Sequence, residues 1–261
     1  MSKSFILGFV IGIVVLIIVG IGTSRLQDNN STLKDTEEKK YQLEVKDATP
    51  VQLGMLTEQQ RNHSKLYTYY KAQADLMPIY KRISDLYLNP KGKVMETIVD
   101  VGLCPLPEPE TPEKFFGNLA QESDAVIDGT VIKKLSQITE DDVFIFTDYE
   151  VVVKEILKNN MAAPLKNEQS ITVTRPGGGI VVNGIVVKAK DERFKPLPLN
   201  HDVVLFLKFI PETGTYKATN YTGTFEFDED SVRPLTEAHL PPGILQDGHS
   251  FLQTVRIAAS K

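Results

Sequence analysis

Tryptophan is absent from the chain, and cysteine occurs once, as Cys104. One thiol closes no intramolecular disulfide and furnishes no four-cysteine zinc site, so the fold must rest on its apolar core. Cys104 lies in Gly102-Leu103-Cys104-Pro105, far from the N-terminus, which removes it as a lipid-acylation site. A buried, inert thiol is expected there. Positive charge is short as well: 29 Lys plus Arg face 34 Asp plus Glu, a net charge of -5. A dedicated nucleic-acid binder needs a basic face to displace counterions from phosphate, so nucleic acid is not an expected partner. The four histidines, His63, His201, His239 and His249, form no HExxH pattern. His239 and His249 flank Asp247 across Pro241-Pro242-Gly243, a spacing that fixes no metal geometry, and surface histidines are expected. Asp228-Glu229-Asp230 and Glu140-Asp141-Asp142 lack the spacing of a calcium loop and read as solvated turns. The sequence thus leads us to expect no catalytic residues, no metal site and no cofactor. Low complexity is missing too. With 41% hydrophobic and 24% charged residues, the chain is compositionally globular.

What the chain does have is a long run without charge or polar side chains. It comprises Phe5, Ile6, Leu7, Gly8, Phe9, Val10, Ile11, Gly12, Ile13, Val14, Val15, Leu16, Ile17, Ile18, Val19, Gly20 and Ile21, and ends at Gly22. About 18 residues make a helix of about 27 Å, close to the thickness of a bilayer's hydrocarbon core. Residues 1–23 are therefore expected to be a transmembrane signal anchor. The competing assignment is a cleaved signal peptide, which needs a shorter apolar stretch of about 7–15 residues and a small-x-small site such as Gly20-Ile21-Gly22. Lys3 and the free amino group precede the run, while Arg25 and Asp28 follow it. That balance places the N-terminus in the cytoplasm and the bulk of the chain outside, as a single-pass protein of the cell membrane.

Residues 24–50 are polar, with Asp35-Thr36-Glu37-Glu38-Lys39-Lys40 at their centre, and are expected to be a solvated tether. Residues 51–103 carry a helical pattern. Thr57-x-x-Gln60 matches a capping box, and Leu66, Tyr69, Gln73, Leu76, Tyr80, Ile83 and Tyr87 recur at steps of three and four. Pro78 breaks or kinks that helix, and Asn89-Pro90-Lys91-Gly92 ends it. Residues 104–112 read CPLPEPETP, a stiff linker and the clearest domain boundary. A helix is expected over 113–121.

Beyond the linker the period changes from near 3.6 to two. Strands are expected over 125–135, 144–157 and 170–174. In the second, Ile145, Thr147, Tyr149, Val151, Val153 and Leu157 share one face, while Asp148, Glu150 and Lys154 share a wet one. Arg175-Pro176-Gly177-Gly178-Gly179 fits no regular element; it is a connecting turn or, alternatively, a nest of N–H groups for an anion. Asn183-Gly184 between β-branched runs calls for a type I′ hairpin. Asp202 to Ile210, apolar on both faces, reads as a central strand. Thr215–Tyr221 and Thr224–Asp228 suggest a further hairpin around Thr222-Gly223. With no helices between these strands, the sheet should be antiparallel and close into a barrel or sandwich spanning residues 113–235. Residues 236–261 form a tail with a short helix over 250–259. The fold class is α+β: an N-terminal transmembrane helix, a short helical region, then a mainly antiparallel β-barrel.

The segments DAVIDGTV, FTDYEVVVKEILK, ITVTRPGGG, DVVLFLKF and GTYKATNYTGTF follow in that order between about Ser123 and Pro234. In this series the chain resembles a domain of uncharacterised bacterial exported or membrane-anchored proteins. The resemblance implies a small barrel of the OB or netrin-like kind and an extracytoplasmic address, and it carries no activity or site residue. The anchor and His201-Asp202-Val203-Val204 faintly resemble type I signal peptidases, but the serine and lysine motifs of that family are missing. Sortases need a strand-end cysteine, whereas Cys104 stands in the linker. The functional expectation is a membrane-tethered, extracytoplasmic binding or structural module whose partner is an envelope protein or polymer. Two alternatives are an envelope hydrolase built from scattered residues such as His201, Asp202 and Arg175, and an assembly factor acting through the helical region.

Overall fold

The structure, a computed structural model, describes residues 36–51, 57–58, 61–66, 82–99, 111–191, 195–220, 222–236, 240–241, 243–244 and 247–260. The expected anchor at residues 5–21, Pro78, Cys104, the prolines of the linker up to residue 110 and His239 lie outside them. Among the described residues no helix is long and apolar enough to cross a membrane. The chain divides into two units, Met1–Lys46 and Asp47–Lys261.

In the first unit the described part of the polar stretch begins at residue 36. It is helical from residue 36, in a helix (α1, residues 36–47) whose side chains are mostly exposed, with Gln42 donating to Glu38 one turn back at 2.9 Å. Such a helix draws on i,i+4 pairs rather than on a buried stripe.

The second unit is mostly sheet with few helices. In chain order it holds β1 (Thr49–Pro50), a helical segment α2 (residues 61–66), α3 (Ile83–Leu88), β2 (Val94–Val99) and α4 (Pro112–Glu122). There follow β3 (Ala125–Ile138), β4 (Ile145–Lys158), β5 (Ser170–Pro176), β6 (Gly178–Val182), β7 (Ile185–Asp191), β8 (Asp202–Ile210), β9 (Thr215–Ala218), β10 (Thr224–Phe227), β11 (Val232–Pro234) and α5 (Gly248–Ala259). The expected helix after the linker begins with Thr111 as its cap, accepting from the Lys114 N–H at 3.3 Å, and with Pro112 in the first turn. Proline is favoured there because its missing N–H has no intrahelical partner to lose.

Two sheets result. The larger runs β11-β10-β8-β3-β4-β5-β9 and the smaller β1-β6-β7-β2. In the larger sheet β9 also pairs with β8, so the pairings pass from β3 to β4, β5, β9, β8 and back to β3. The side chains of Ile127, Val131, Tyr149, Val151, Val153, Ile171, Val173, Val203, Leu205, Leu207 and Tyr216 form the apolar core that these strands share. β8 behaves as its sequence demands. Val203, Leu205 and Leu207 face that inner core, while Val204 and Phe206 face a second one. That second core lies between the sheet and the two helices α4 and α5, where Phe116 meets Phe206, Phe225 and Phe251 with ring centroids 5.5–6.0 Å apart. A third core joins Ile138 and Ile145 to the smaller sheet through Ile180, Val182 and Val187, with α3 supplying Ile83 and Tyr87.

Several expectations are corrected. The sheets are not purely antiparallel: β1 with β6, β2 with β7 and β5 with β9 are parallel. β9 and β10 do not form a hairpin. Both pair with β8, at different stretches, because β9 also bridges to β5. Val94–Val99, inside the region expected to be helical, is a strand, since Val186 to Asp191 of β7 offers it a parallel edge. RPGGG is not structureless: Arg175 and Pro176 end β5, and Gly178 and Gly179 begin β6. Neither is it an anion nest. The Gly177 N–H donates to the Ile145 carbonyl at 2.8 Å and the Gly179 N–H to Ser136 Oγ at 3.3 Å. At Gly178, with φ +138°, a Cβ would sit 2.1 Å from Thr147 Oγ1 and 2.5 Å from Ser136 Oγ, so only glycine lets the chain step between the sheets here. The Asn183-Gly184 turn is as expected, with both residues at positive φ, 51° and 76°. Thr222-Gly223, by contrast, is not a hairpin turn.

Candidate functional site

The polar face of β4 is not wet over its first half. Phe146 and Asp148 alternate on one face, yet Asp148 is 8% exposed. The cover is α2. His63, fully buried, lays its ring edge-on to Phe146 with centroids 5.5 Å apart. Its Nδ1 lies 3.1 Å from Asp148 Oδ2, and its Nε2 lies 3.1 Å from Thr215 Oγ1 at the start of β9. The register explains the convergence. Asp148 pairs with Leu135 on β3 and Thr174 on β5, and Gln137 pairs with Phe146, which brings the Gln137 amide onto Asp148 Oδ2 at 2.6 Å. The Thr215 hydroxyl is in turn 2.6 Å from that of Thr213. Next to His63, Ser64 Oγ accepts from the Glu140 N–H at 2.7 Å, fastening α2 to the β3–β4 turn. The helical start expected at Thr57 is present, with the Arg61 N–H donating to the Thr57 carbonyl at 3.0 Å. Gln60 lies outside the described residues.

The ring thus bridges the Asp148 carboxyl on its Nδ1 side and the Thr215 hydroxyl, itself paired with that of Thr213, on its Nε2 side. Carboxyl, imidazole and hydroxyl thus stand in the order of a hydrolytic relay. A nucleophile must also meet its substrate, and Thr215 is 3% exposed. As it stands, the relay is a clasp: it holds α2 on the outer face of β4 and β9 through these polar contacts and the ring edge on Phe146. No local signal in the sequence marked His63, because its partners stand 85 and 152 residues away.

The residues named for a hydrolase are not brought together. His201 Nδ1 is 2.7 Å from Glu226 Oε1, and Glu226 also takes Arg233. Asp202 receives Lys154 on both oxygens at 2.7 Å and Thr130 Oγ1 at 2.7 Å. Arg175 is 2% exposed, in register with Thr147 of β4, whereas Asp202 is in register with Thr130, which faces Val152 of β4. Five residues along β4 separate the two, about 17 Å at the rise of a strand.

The acidic runs serve as joints. Asp142, at φ 58°, accepts the Ile83 N–H on its carbonyl and the Ser84 N–H on its side chain, and so caps α3. Asp228 accepts from the Asp230 and Ser231 N–H groups, which holds its carboxyl below the usual range, and Asp247 caps α5 through the Ser250 N–H with the same effect. Among the described residues no group of three metal-ligating side chains is assembled. Compared with known proteins, the chain matches no family model and no curated sequence.

Proposed function

We propose that this chain is a membrane-tethered, extracytoplasmic β-barrel of the OB kind that binds, or braces, an envelope protein or polymer. The observation that carries this reading is the circuit of pairings β3-β4-β5-β9-β8-β3 around a filled apolar interior. Five strands in a ring, with one parallel contact between β5 and β9, match the plan of a five-stranded Greek-key barrel. Because Val131, Tyr149, Val151, Leu205 and their neighbours occupy the interior, a ligand engages the outside. The apolar run of residues 5–21 supports the tether, and its flanking charges support an outward-facing body.

Fractionation followed by protease shaving of intact cells tests the proposal. Recovery in the membrane fraction, with loss of the residues 113–235 region on shaving, is the expected result. Protection in intact cells with digestion only after lysis refutes the location. Recovery in the soluble fraction without detergent refutes the tether.

A further inference from the structure

Asp128 is a carboxyl in the wrong place for a charge. It lies in the first half of β3, 9% exposed, in register with Val204 of β8, and so on the sheet face that α5 covers with Phe251, Val255 and Ala258. A bulge sets its neighbours. Asp128 pairs with Glu155 and Gly129 with Val153, which leaves Lys154 unopposed beside it. The charged groups acting on Asp128 are Asp202 from β8, Lys154 and Glu155 from β4, and Arg256 from α5. Both cations are engaged elsewhere. Lys154 spans the two oxygens of Asp202, and Arg256 grips Glu155 through Nε at 2.9 Å and Nη2 at 2.6 Å. Glu226, with His201 and Arg233, pairs with Val203 and so belongs to the opposite face. Asp128 Oδ1 is buried and receives no hydrogen bond among the described residues. A neutral carboxyl fits this site, and an ionised one lacks a donor. Burial, with Asp202 adding to it, pushes the carboxyl up to about 6.

We propose that Asp128 is a proton-operated latch on the C-terminal helix: with the carboxyl neutral, α5 lies docked over β3 and β4, and ionisation loosens it. Lifting α5 opens Asp128 to water and frees Arg256 to answer its charge. The sign follows from linkage. A carboxyl raised in the docked state favours docking fully below its ordinary value of 3.8, and the advantage is lost as pH rises through about 6. The gap of about two units makes the loosened form on the order of a hundredfold more populated, relative to the docked one, at pH 7.5 than at pH 4.

The test is hydrogen exchange of the full-length chain in non-ionic detergent between pH 4.5 and 7.5, corrected for intrinsic exchange rates and read in a peptide spanning residues 248–260. Protection there should fall by about 25-fold over that range, with a midpoint a little above 5 and a plateau beyond about 6.5, while a β8 peptide stays unchanged. Asp128→Asn, which fixes the neutral shape, should hold the low-pH protection throughout. His249→Gln, replacing the imidazole in the first turn of α5, should leave the midpoint in place. A flat wild-type profile overturns the latch, as does a fall that survives Asp128→Asn or vanishes with His249→Gln. An Asp128→Asn chain that fails to fold also overturns it, because the proposal makes the neutral form the better-docked one.

Discussion

Removing the imidazole of His63 measures how firmly α2 is clasped. His63→Ala deletes the contact to Asp148 at 3.1 Å, the contact to Thr215 at 3.1 Å and the ring edge on Phe146. It leaves Asp148 Oδ2 with the Gln137 amide alone, while Asp148 Oδ1 already has no partner among the described residues. A hydrogen bond to a carboxyl contributes about 1.5–3 kcal/mol, one between imidazole and hydroxyl about 1 kcal/mol, and abandoning a buried acceptor adds to both. The expected loss is therefore about 3 kcal/mol. Urea unfolding followed by far-ultraviolet circular dichroism is the assay, since the chain has no tryptophan to report. Thr215→Val, which keeps the shape and removes one bond, should cost about 1 kcal/mol. Combining His63→Ala with Asp148→Asn should recover at least about 1 kcal/mol against the sum of the single changes, because contacting residues are not additive. A His63→Ala loss under about 0.5 kcal/mol, or a coupling near zero, refutes the clasp.

Two further substitutions bear on the framework. Gly178→Ala drives a Cβ into Thr147 Oγ1 and Ser136 Oγ at positive φ, so it should cost more than about 3 kcal/mol and lower the thermal midpoint of the whole second unit. A variant that melts like the wild type would show that the step between the sheets tolerates a side chain. Phe116→Ala empties the centre of the cluster formed with Phe206, Phe225 and Phe251 and should cost about 3–5 kcal/mol by urea titration, with α4 losing hydrogen-exchange protection first. Loss of protection spread evenly over the unit, rather than concentrated at α4, would contradict that packing.

How much of this could be read from the residues alone depends on how local the cause was. β8 was legible because five successive side chains, Val203 to Leu207, are wholly buried, and only a strand between two cores buries both faces. The turn at Asn183-Gly184 was legible because backbone sterics act within a few residues, and α4, expected over 113–121, starts one residue earlier with Pro112 in its first turn. β2 was not, because VMETIV takes its strand form from the edge of β7, about 90 residues further on. The false hairpin at Thr222-Gly223 has the same root: the turn chemistry was suitable, but β9 is engaged by β5 and β8.

The misassigned polar residues are the more instructive group. Period-two alternation holds along β4 as far as Val153, but the bulge at Lys154 turns Leu157 to the α4–α5 core and Ile156 to the other, and alternation cannot say what covers a face. Asp148 was assigned to water and is roofed by α2, and Asp128, the one carboxyl in AVIDGTV, lies on the face roofed by α5. Both carboxyls keep one buried oxygen without a hydrogen bond among the described residues, as does Asp142, so each is held less completely than Asp228, whose side chain caps backbone N–H groups. An incompletely satisfied buried carboxyl is where a change of proton or partner has most effect on stability. Asp148 lies where α2 rests on β4 and β9, and Asp128 where α5 rests on β3 and β4. The joints that hold α2 and α5 are thus the places where a change of proton or partner acts most strongly, beside strands whose other face is packed with apolar side chains.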